Sequence, residues 1–244
     1  MSAGPVRIAV IDYGMGNRRS VQKALERLGA VAAITREHRA LRDADGLVLP
    51  GVGAFPLAVA NLRALGLDRL IGERVRAGVP LLGICLGMQL LFERSQEIEP
   101  TPGLGLLAGS VTRLDGAALR LPHIGWSEVR FLRPSWLTAG LPAAGCAFYH
   151  VHSFAARPAE PADVVGVSEY GERFATIVER GSIAGVQFHP EKSSADGLRL
   201  LANFVVRCRA AAAGSSSAAG GSSSAGTGSS AVTGSSAAAA APAR

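Results

Sequence analysis

The fold is decided by the stretch Pro80-Leu81-Leu82-Gly83-Ile84-Cys85-Leu86-Gly87-Met88-Gln89, in which an apolar segment runs directly into a helical pattern. Residues 80–84 predict a buried strand, and residues 86–94 predict a helix that begins immediately after Cys85. The same alternation precedes this stretch, with strands predicted at 6–11, 31–34 and 46–49 and helices at 21–28, 56–65 and 68–77. Strands that alternate with helices predict an α/β fold, with an open, mostly parallel sheet covered by helices on both faces.

The second half of the chain no longer alternates between predicted strands and helices. Short apolar runs predict extra antiparallel strands added to the sheet, at 110–114, 126–131, 148–154, 164–168, 175–179 and 183–187. A last amphipathic helix is predicted at 195–209. Beyond it the chain is almost entirely Ala, Ser and Gly, which lack the large apolar side chains needed to offset the entropy of ordering. We therefore predict one domain at 1–210 and a disordered tail at 211–244.

Charge and composition narrow the class of protein. The formal net charge is +6, but the arginines are scattered singly or in pairs and form no basic helix face, which disfavours a nucleic-acid partner. The longest apolar run, 79–92, is too short and too often interrupted by glycine to span a bilayer, and no secretory signal opens the chain. An odd, sparse set of three cysteines predicts reduced thiols and a cytoplasmic protein.

Cys85 has the sequence setting of a nucleophile. It stands in a G-x-C-x-G pattern between the predicted strand and helix, which is the cysteine form of the nucleophile elbow. A position at the carboxyl end of a strand and at a helix N-terminus favours both ligand access and the thiolate form. The alternative is a buried structural cysteine, which is the commonest fate of free cysteine. We assign Cys146 and Cys208 to packing.

A cysteine nucleophile needs a base and a third group that orients the base. In Gln187-Phe188-His189-Pro190-Glu191-Lys192, a predicted strand delivers His189, a proline stops the strand, and a carboxylate follows two residues later. A lone histidine is more often an ordinary core or surface residue, but here the three features coincide. No cluster of His, Cys and carboxylate residues has metal-ligand spacing, so we predict no metal site.

An oxyanion hole requires backbone N–H donors. One is expected from the residue after the nucleophile, Leu86, and a second from a glycine-rich loop after a neighbouring strand. The segment Pro50-Gly51-Val52-Gly53-Ala54-Phe55 fits the second, because glycine tolerates positive φ and lets a peptide turn its N–H toward the site. The alternative for this segment is an ordinary strand-to-helix turn.

Together these segments resemble the class I (triad) glutamine amidotransferases. The resemblance implies a flavodoxin-like fold and a glutaminase in which Cys85 attacks the glutamine side-chain amide, His189 is the general acid/base and Glu191 orients it. No cofactor is implied. The further site residues that it implies are Gly51, Val52 and Leu86 for the oxyanion hole and Gly53, Gln89, Ser153 and Phe154 for the substrate. Many relatives carry Tyr where Phe154 stands.

A narrower resemblance, over residues 6–208, is to the glutaminase subunits of imidazole glycerol phosphate synthase. The segments that carry it are 12–17, 50–55, 103–106, 122–126 and 189–193. It implies a heterodimer with a (β/α)8-barrel cyclase subunit that receives the ammonia, in histidine biosynthesis. The interface residues that it implies are Pro122, Trp126, Tyr149 and Lys192. Lys192 is one of two lysines in the chain, and its alternative is a solvated surface residue.

Two other classes of function stay open at this point. One is a glutaminase that serves another synthase, or a γ-glutamyl hydrolase with the same triad. The other is a non-catalytic binding module that kept the fold. The three triad residue types disfavour the second, and Gln89, the 50–55 loop and Lys192 disfavour the first.

Overall fold

The computed structural model describes residues 4–115 and 119–220, with side chains described up to residue 214. Within these residues the chain forms thirteen strands: β1 (Arg7–Ile11), β2 (Val31–Thr35), β3 (Gly46–Gly51), β4 (Leu81–Cys85), β5 (Phe92–Ser95), β6 (Thr101–Pro102), β7 (Leu107–Arg113), β8 (His123–Phe131), β9 (Cys146–His152), β10 (Phe154–Pro158), β11 (Val164–Tyr170), β12 (Glu172–Arg180) and β13 (Ile183–Val186). The α-helices in the same residues are α1 (Arg18–Arg27), α2 (His38–Asp43), α3 (Phe55–Ala64), α4 (Leu67–Arg76), α5 (Leu86–Gln89) and α6 (Ser194–Gly220).

The main sheet has nine strands in the order β2-β1-β3-β4-β13-β12-β11-β8-β9. Strands β2, β1, β3, β4 and β13 are parallel, and β12, β11, β8 and β9 extend the sheet with antiparallel pairings. Because the parallel strands share a direction, β3, β4 and β13 end side by side at one edge. This confirms the predicted α/β fold with added antiparallel strands, and it places three carboxyl strand ends together.

Helices cover both faces of the parallel strands. On one face, Leu41 of α2, Phe55 of α3 and Leu70 of α4 belong to a core with Leu47 and Leu49 of β3. The core of the other face is formed by α1, α6 and the alternate residues of the same strands, and includes Leu25, Leu200, Phe204, Val48, Leu82 and Ile84. Alternate residues of β3 and β4 are therefore buried on opposite faces, which explains why these strands are apolar along their whole length.

The chain also forms a second sheet of four strands, in the order β10-β7-β5-β6. It includes residues that the sequence assigns to a helix, so the predicted helix over 86–94 is wrong beyond Gln89. The carbonyl oxygens of Leu90, Leu91 and Phe92 accept hydrogen bonds from residues 104–107, and β5 pairs with β7. These long-range pairings outweigh the helical propensity of the segment.

The predicted strand over 148–154 is two strands. Residues up to His152 belong to β9 in the main sheet, and β10 begins at Phe154 in the second sheet. Ser153 is therefore the point where the chain passes from one sheet to the other. Its carbonyl oxygen accepts a hydrogen bond from the Leu114 N–H at 2.9 Å.

Helix α6 extends to Gly220 and has 27 residues, so it continues past the predicted boundary at residue 210. Alanine has the highest helix propensity, so the run at 210–213 favours continuation of the helix past that boundary. The rest of the predicted tail, 221–244, lies outside the described residues. In the described part of the chain, no helix has the length and apolar character required to cross a membrane.

Candidate active site

Cys85 ends β4 and precedes α5 in a backbone conformation that side chains rarely adopt, with φ 55° and ψ −114°. The flanking glycines make this turn possible. A Cβ at Gly87 would overlap the Leu49 carbonyl oxygen, and one at Gly83 would lie 2.6 Å from the Gly87 carbonyl oxygen. Positive φ at a non-glycine residue is strained and is maintained by the packing around it. The arrangement is a nucleophile elbow, and it leaves Cys85 5 % exposed.

His189 connects Cys85 to Glu191. Its Nδ1 lies 3.0 Å from Glu191 Oε1, and since a carboxylate only accepts, Nδ1 carries the proton and Nε2 is left to face the sulfur. Burial alone would lower the pKa of His189. The hydrogen bonds to Cys85 and Glu191 and the charges of both outweigh burial and raise this pKa to about 10. These contacts therefore favour the protonated form of the His189 imidazole.

The register of the sheet and a hydrogen-bonded loop bring His189 to the sulfur. Val186, the last residue of β13, pairs with Ile84 of β4, one residue before Cys85. The His189 N–H then donates to the Tyr149 carbonyl oxygen at 2.9 Å. The hydroxyl of Ser193 donates to the His189 carbonyl oxygen at 2.7 Å, while its oxygen accepts from the Tyr149 N–H at 3.0 Å.

Asn17 holds Glu191 in place, a role that the sequence does not predict. Its Nδ2 donates to Glu191 Oε1 at 3.3 Å, so that oxygen accepts from both Asn17 and His189. The other oxygen, Oε2, is buried and has no hydrogen-bond partner among the described residues. The turn-rich segment at 12–17 thus delivers an amide to the triad across the sheet, and no local pattern in the sequence signals this contact.

The loop after β3 lies beside Cys85. Gly51 pairs with Cys85 in the sheet, and a Cβ at Gly51 would lie 2.5 Å from the Tyr13 hydroxyl and 2.9 Å from the Leu86 Cβ. The Tyr13 hydroxyl donates to the Pro50 carbonyl oxygen at 2.7 Å. Burial and the charge of Cys85 raise the pKa of Tyr13, which keeps it a neutral donor. Gly53 has φ +108°, and Val52 between the two glycines is 44 % exposed.

These segments enclose a cavity of about 330 Å³ with Cys85 and His189 in its wall. The structure brings together in this wall most of the predicted site residues, namely Val52, Gly53, Leu86, Gln89, Pro122, Ser153, Phe154 and Lys192. Gly51, Trp126, Tyr149 and Glu191 are not part of the wall. Residues that line the cavity and that the sequence analysis does not assign to it are Glu97, Val151 and His152.

Comparisons with known proteins identify the family. The family model described as glutamine amidotransferase class-I matches residues 9–208. A HisH subunit of imidazole glycerol phosphate synthase from Moorella thermoacetica is 53 % identical over 197 residues, which cover 81 % of this chain and 93 % of the relative. The HisH subunit from Symbiobacterium thermophilum is 49 % identical over 199 residues, or 81 % of this chain and 92 % of the relative. The chain belongs to the class-I glutamine amidotransferases, in the HisH family.

Solved structures agree on the fold. A structure described as a glutamine amidotransferase has a TM-score of 0.64 and 24 % identity, and covers 83 % of this chain and 98 % of the other. PurLQS from Thermotoga maritima has a TM-score of 0.63 and 20 % identity, with 83 % of this chain and 99 % of the other covered. At these identities the likeness extends to the architecture alone.

Two polar side chains in the cavity wall, Glu97 and Gln89, are held by hydrogen bonds. Glu97 is anchored by the Phe55 N–H, which donates to Oε2 at 2.9 Å, and it brings a negative charge to the wall. Gln89 donates both hydrogens of Nε2, to the Phe154 carbonyl oxygen at 2.9 Å and to Gln187 Oε1 at 3.1 Å. Both hydrogens of Nε2 are thus used within the protein, and Oε1 is the acceptor atom of the Gln89 side chain.

An aromatic and cationic rim lies next to the cavity. The Trp126 and Tyr149 rings meet edge to face with centroids 6.2 Å apart, and Lys192 Nζ lies 5.9 Å from the centre of the Tyr149 ring. Trp126 is 52 % exposed, and Ile124 on the same face of β8 is also exposed. The rim thus combines exposed apolar surface with a positive charge at the mouth of the cavity.

The histidines at 123, 150 and 152 are buried behind this rim. His123 stacks on Tyr170 with ring centroids 4.1 Å apart, and His150 Nε2 lies 2.8 Å from Thr176 Oγ1. Burial lowers the pKa of His150 and His152 to about 3, so both are neutral. Within the described residues, no group of three or more His, Cys, Asp or Glu side chains is arranged to hold a metal ion. Ring stacking and a hydrogen bond thus hold His123 and His150 in place, whereas His152 also lines the cavity.

Proposed function

We propose that this chain is the glutaminase subunit of an imidazole glycerol phosphate synthase. It hydrolyses L-glutamine to glutamate and ammonia, and it delivers the ammonia to a cyclase subunit in histidine biosynthesis. The observation that carries the proposal is the hydrogen-bonded series Cys85, His189 and Glu191 at one sheet edge, in a chain of the HisH family. The three cysteines are free, and a catalytic thiol of this kind is suited to the reducing cytoplasm.

In the first half of the reaction, the Cys85 thiolate attacks the side-chain carbonyl carbon of glutamine. The carbonyl oxygen becomes an oxyanion, and the protonated His189 gives its proton to the departing amide nitrogen, which leaves as ammonia. A γ-glutamyl thioester remains on Cys85. In the second half, His189 takes a proton from water, the hydroxide attacks the thioester, and glutamate leaves as the thiolate reforms. Glu191 holds the imidazole and stabilises its charged form.

The oxyanion is bound by backbone N–H groups. Leu86 provides the first, because it begins α5 immediately after the nucleophile and its N–H has no partner within the helix. The second comes from the loop of Gly51, Val52 and Gly53 beside it. Support comes from the two glycines around Val52, which allow the intervening peptide to turn, and from the exposure of Val52 at the surface.

The substrate backbone lies at the far side of the cavity from the triad. Glu97 provides a negative charge for the α-ammonium group, and the Gln89 Oε1 accepts a hydrogen bond from the substrate. Gly53, Ser153 and Phe154 offer main-chain groups to the α-amino and carboxylate ends. Phe154 has no hydroxyl, so its contribution is through the backbone.

The rim residues form the interface with the barrel subunit. Pro122 lines the cavity, and Trp126 and Tyr149 present aromatic surface at its mouth. Lys192 adds a positive charge that pairs with an acidic residue of the partner. A cavity mouth enclosed by the barrel passes ammonia to the ribonucleotide without exposure to bulk water, where it would be protonated. The products of the barrel are imidazole glycerol phosphate and an aminoimidazole carboxamide ribotide.

The experiment is a glutaminase assay of the full chain, alone and with the barrel subunit and its ribonucleotide substrate. We expect low activity alone and a rise on addition of both, because docking turns the loop around Val52 into the oxyanion hole. Equal turnover with and without the partner contradicts the coupling. If glutamine is hydrolysed neither by the chain alone nor by the mixture with the partner, the proposed function is contradicted.

A further inference from the structure

Gln187 contacts the reactive sulfur and has no part in the steps above. It follows β13 two residues before His189, and its side chain is fully buried at 0 % exposure. Its side-chain Nε2 lies 3.8 Å from Cys85 Sγ. Its main-chain N–H donates to the Thr176 carbonyl oxygen at 2.9 Å, which anchors the residue from the neighbouring strand.

The orientation of the Gln187 amide is imposed by a series of contacts. The Phe154 carbonyl oxygen can only accept, so Gln89 must turn its Nε2 toward it, at 2.9 Å. The same nitrogen donates its second hydrogen to Gln187 Oε1 at 3.1 Å. With its oxygen used in this way, Gln187 must direct its nitrogen, a donor, toward Cys85. A flipped amide would place two carbonyl oxygens or two N–H groups against each other.

The thiolate needs such a donor. Helix α5 has four residues, so its dipole is that of a single turn, and the near absence of exposure leaves little room for water at Cys85. The Val151 carbonyl oxygen, 3.8 Å from the sulfur, is an acceptor and opposes a negative charge there. The titratable groups around the sulfur are His189, Tyr13 and, in the cavity wall, Glu97, His152 and Lys192.

We infer that Gln187 is a further catalytic residue of the glutaminase, whose side-chain N–H stabilises the negative charge on Cys85 Sγ in an orientation that Gln89 sets. Gln89 is then a positioning residue for Gln187 as well as a wall of the substrate pocket. The inference rests on the proposed function, since it takes Cys85 as the nucleophile. A hydrogen bond to a charged acceptor is stronger than one to a thiol, so the contact gains strength as the thiolate forms.

The test compares Gln187→Glu, Gln187→Met and the wild type in the full chain. Gln187→Glu keeps an acceptor for Gln89 but presents an oxygen to the sulfur, and Gln187→Met removes both polar atoms at similar volume. Gln22→Glu is the matched control, because Gln22 lies on α1, away from the cavity, and bonds the Ala32 carbonyl oxygen. The readout is the rate of Cys85 alkylation by iodoacetamide against pH, followed on the Cys85 peptide by mass spectrometry, with alkylation of the buried Cys208 as the sign of unfolding.

We expect both Gln187 variants to be alkylated at Cys85 about 10-fold more slowly at neutral pH, with the rate midpoint moved upward by about one pH unit. In the complex with the barrel subunit, kcat for glutamine should fall ~10-fold with KM within about threefold. Gln22→Glu should match the wild type. Thermal midpoints identify a variant that fails to fold, and the other variant then decides the result.

Superimposable alkylation profiles for a folded Gln187 variant and the wild type overturn the inference, because a merely structural amide would leave the profile unchanged. That outcome is distinct from failure of the proposed function. If the proposed function fails, the wild-type complex releases no glutamate, whatever the alkylation profiles of the variants.

Discussion

Asn17 donates a hydrogen bond to Glu191 Oε1 at 3.3 Å, across 174 residues of sequence. The same oxygen accepts a hydrogen bond from His189 Nδ1, so the position of this oxygen determines how the imidazole is oriented. Asn17 precedes α1 and Glu191 lies in the turn after β13, and their contact ties the first helix to the triad. Asn17 thus acts on the chemistry through Glu191.

Replacement of Asn17 tests this contact. In Asn17→Ala, Glu191 loses a donor in a buried position, and we expect kcat for glutamine in the complex to fall about 10-fold, which corresponds to ~1.4 kcal/mol, with little change in KM. Asn17→Asp is nearly isosteric but places a second carboxylate beside Glu191, and its loss should be larger. A steady-state glutaminase assay measures both. An Asn17→Asp enzyme as active as the wild type would contradict the role of this amide.

The raised pKa of His189 predicts a pH dependence of stability. A folded-state pKa of about 10 against an ordinary value of 6.5 means that protonated His189 stabilises the fold. This stabilisation is complete below pH 6.5 and is lost as the pH rises through about 10. Urea unfolding of the wild type and of His189→Asn at several pH values should therefore give a difference in unfolding free energy that shrinks from pH 6 to pH 10. A constant difference would show that the imidazole is not held protonated.

The loop beside the nucleophile should not tolerate a side chain at Gly53. An alanine there would combine a φ of +108° with a Cβ 2.6 Å from Met15 Cε, and it would move the Val52 peptide. We expect Gly53→Ala to lower partner-stimulated glutaminase at least ~10-fold, since oxyanion donors contribute strongly to kcat. Gly29→Ala is the control, because Gly29 has φ +80° with nothing within 4 Å of its Cβ. It should cost about 1 kcal/mol of stability and leave activity unchanged. Equal activities of the two variants would contradict the prediction.

Replacing each of the two lysines of the chain in turn distinguishes a specific contact with the partner from a general effect of positive charge. Lys192 lies at the cavity mouth against Tyr149, whereas Lys23 is exposed on α1. We expect Lys192→Ala to weaken binding to the barrel subunit by about 10-fold, with a smaller salt dependence, and Lys23→Ala to leave affinity unchanged. Titration calorimetry at two salt concentrations measures both. Equal losses for the two variants would exclude a specific ion pair at Lys192.

The parts of the site that depend on neighbouring residues in the chain could be predicted from the sequence. The elbow at Cys85 is recognised from a predicted strand, two glycines and a turn. His189 is recognised from a predicted strand, a proline and a nearby carboxylate. Contacts between distant segments could not be predicted, because no local pattern encodes them. Asn17 on Glu191 and Gln187 on Cys85 are of this kind.

The same distinction applies to the fold. The central parallel strands β3, β4 and β13 are apolar along their length and could be identified from composition and length. The early end of α5 at Gln89 could not, because Leu90, Leu91 and Phe92 suit a buried helix as well as a strand. Their pairing with residues 104–107 decides between the two, and that pairing is visible in three dimensions alone.

The assignment of Cys85 as the nucleophile can be measured directly. The complex with the barrel subunit is acid-quenched during glutamine turnover, and the Cys85 peptide is analysed by mass spectrometry. We predict a γ-glutamyl adduct on Cys85 during turnover that disappears when glutamine is exhausted. Cys85→Ala should form no adduct and release no glutamate, yet still bind the partner and support synthesis from added ammonia. Glutamate release by Cys85→Ala, or an adduct on Cys146 or Cys208 instead, would contradict the role of Cys85 as the nucleophile.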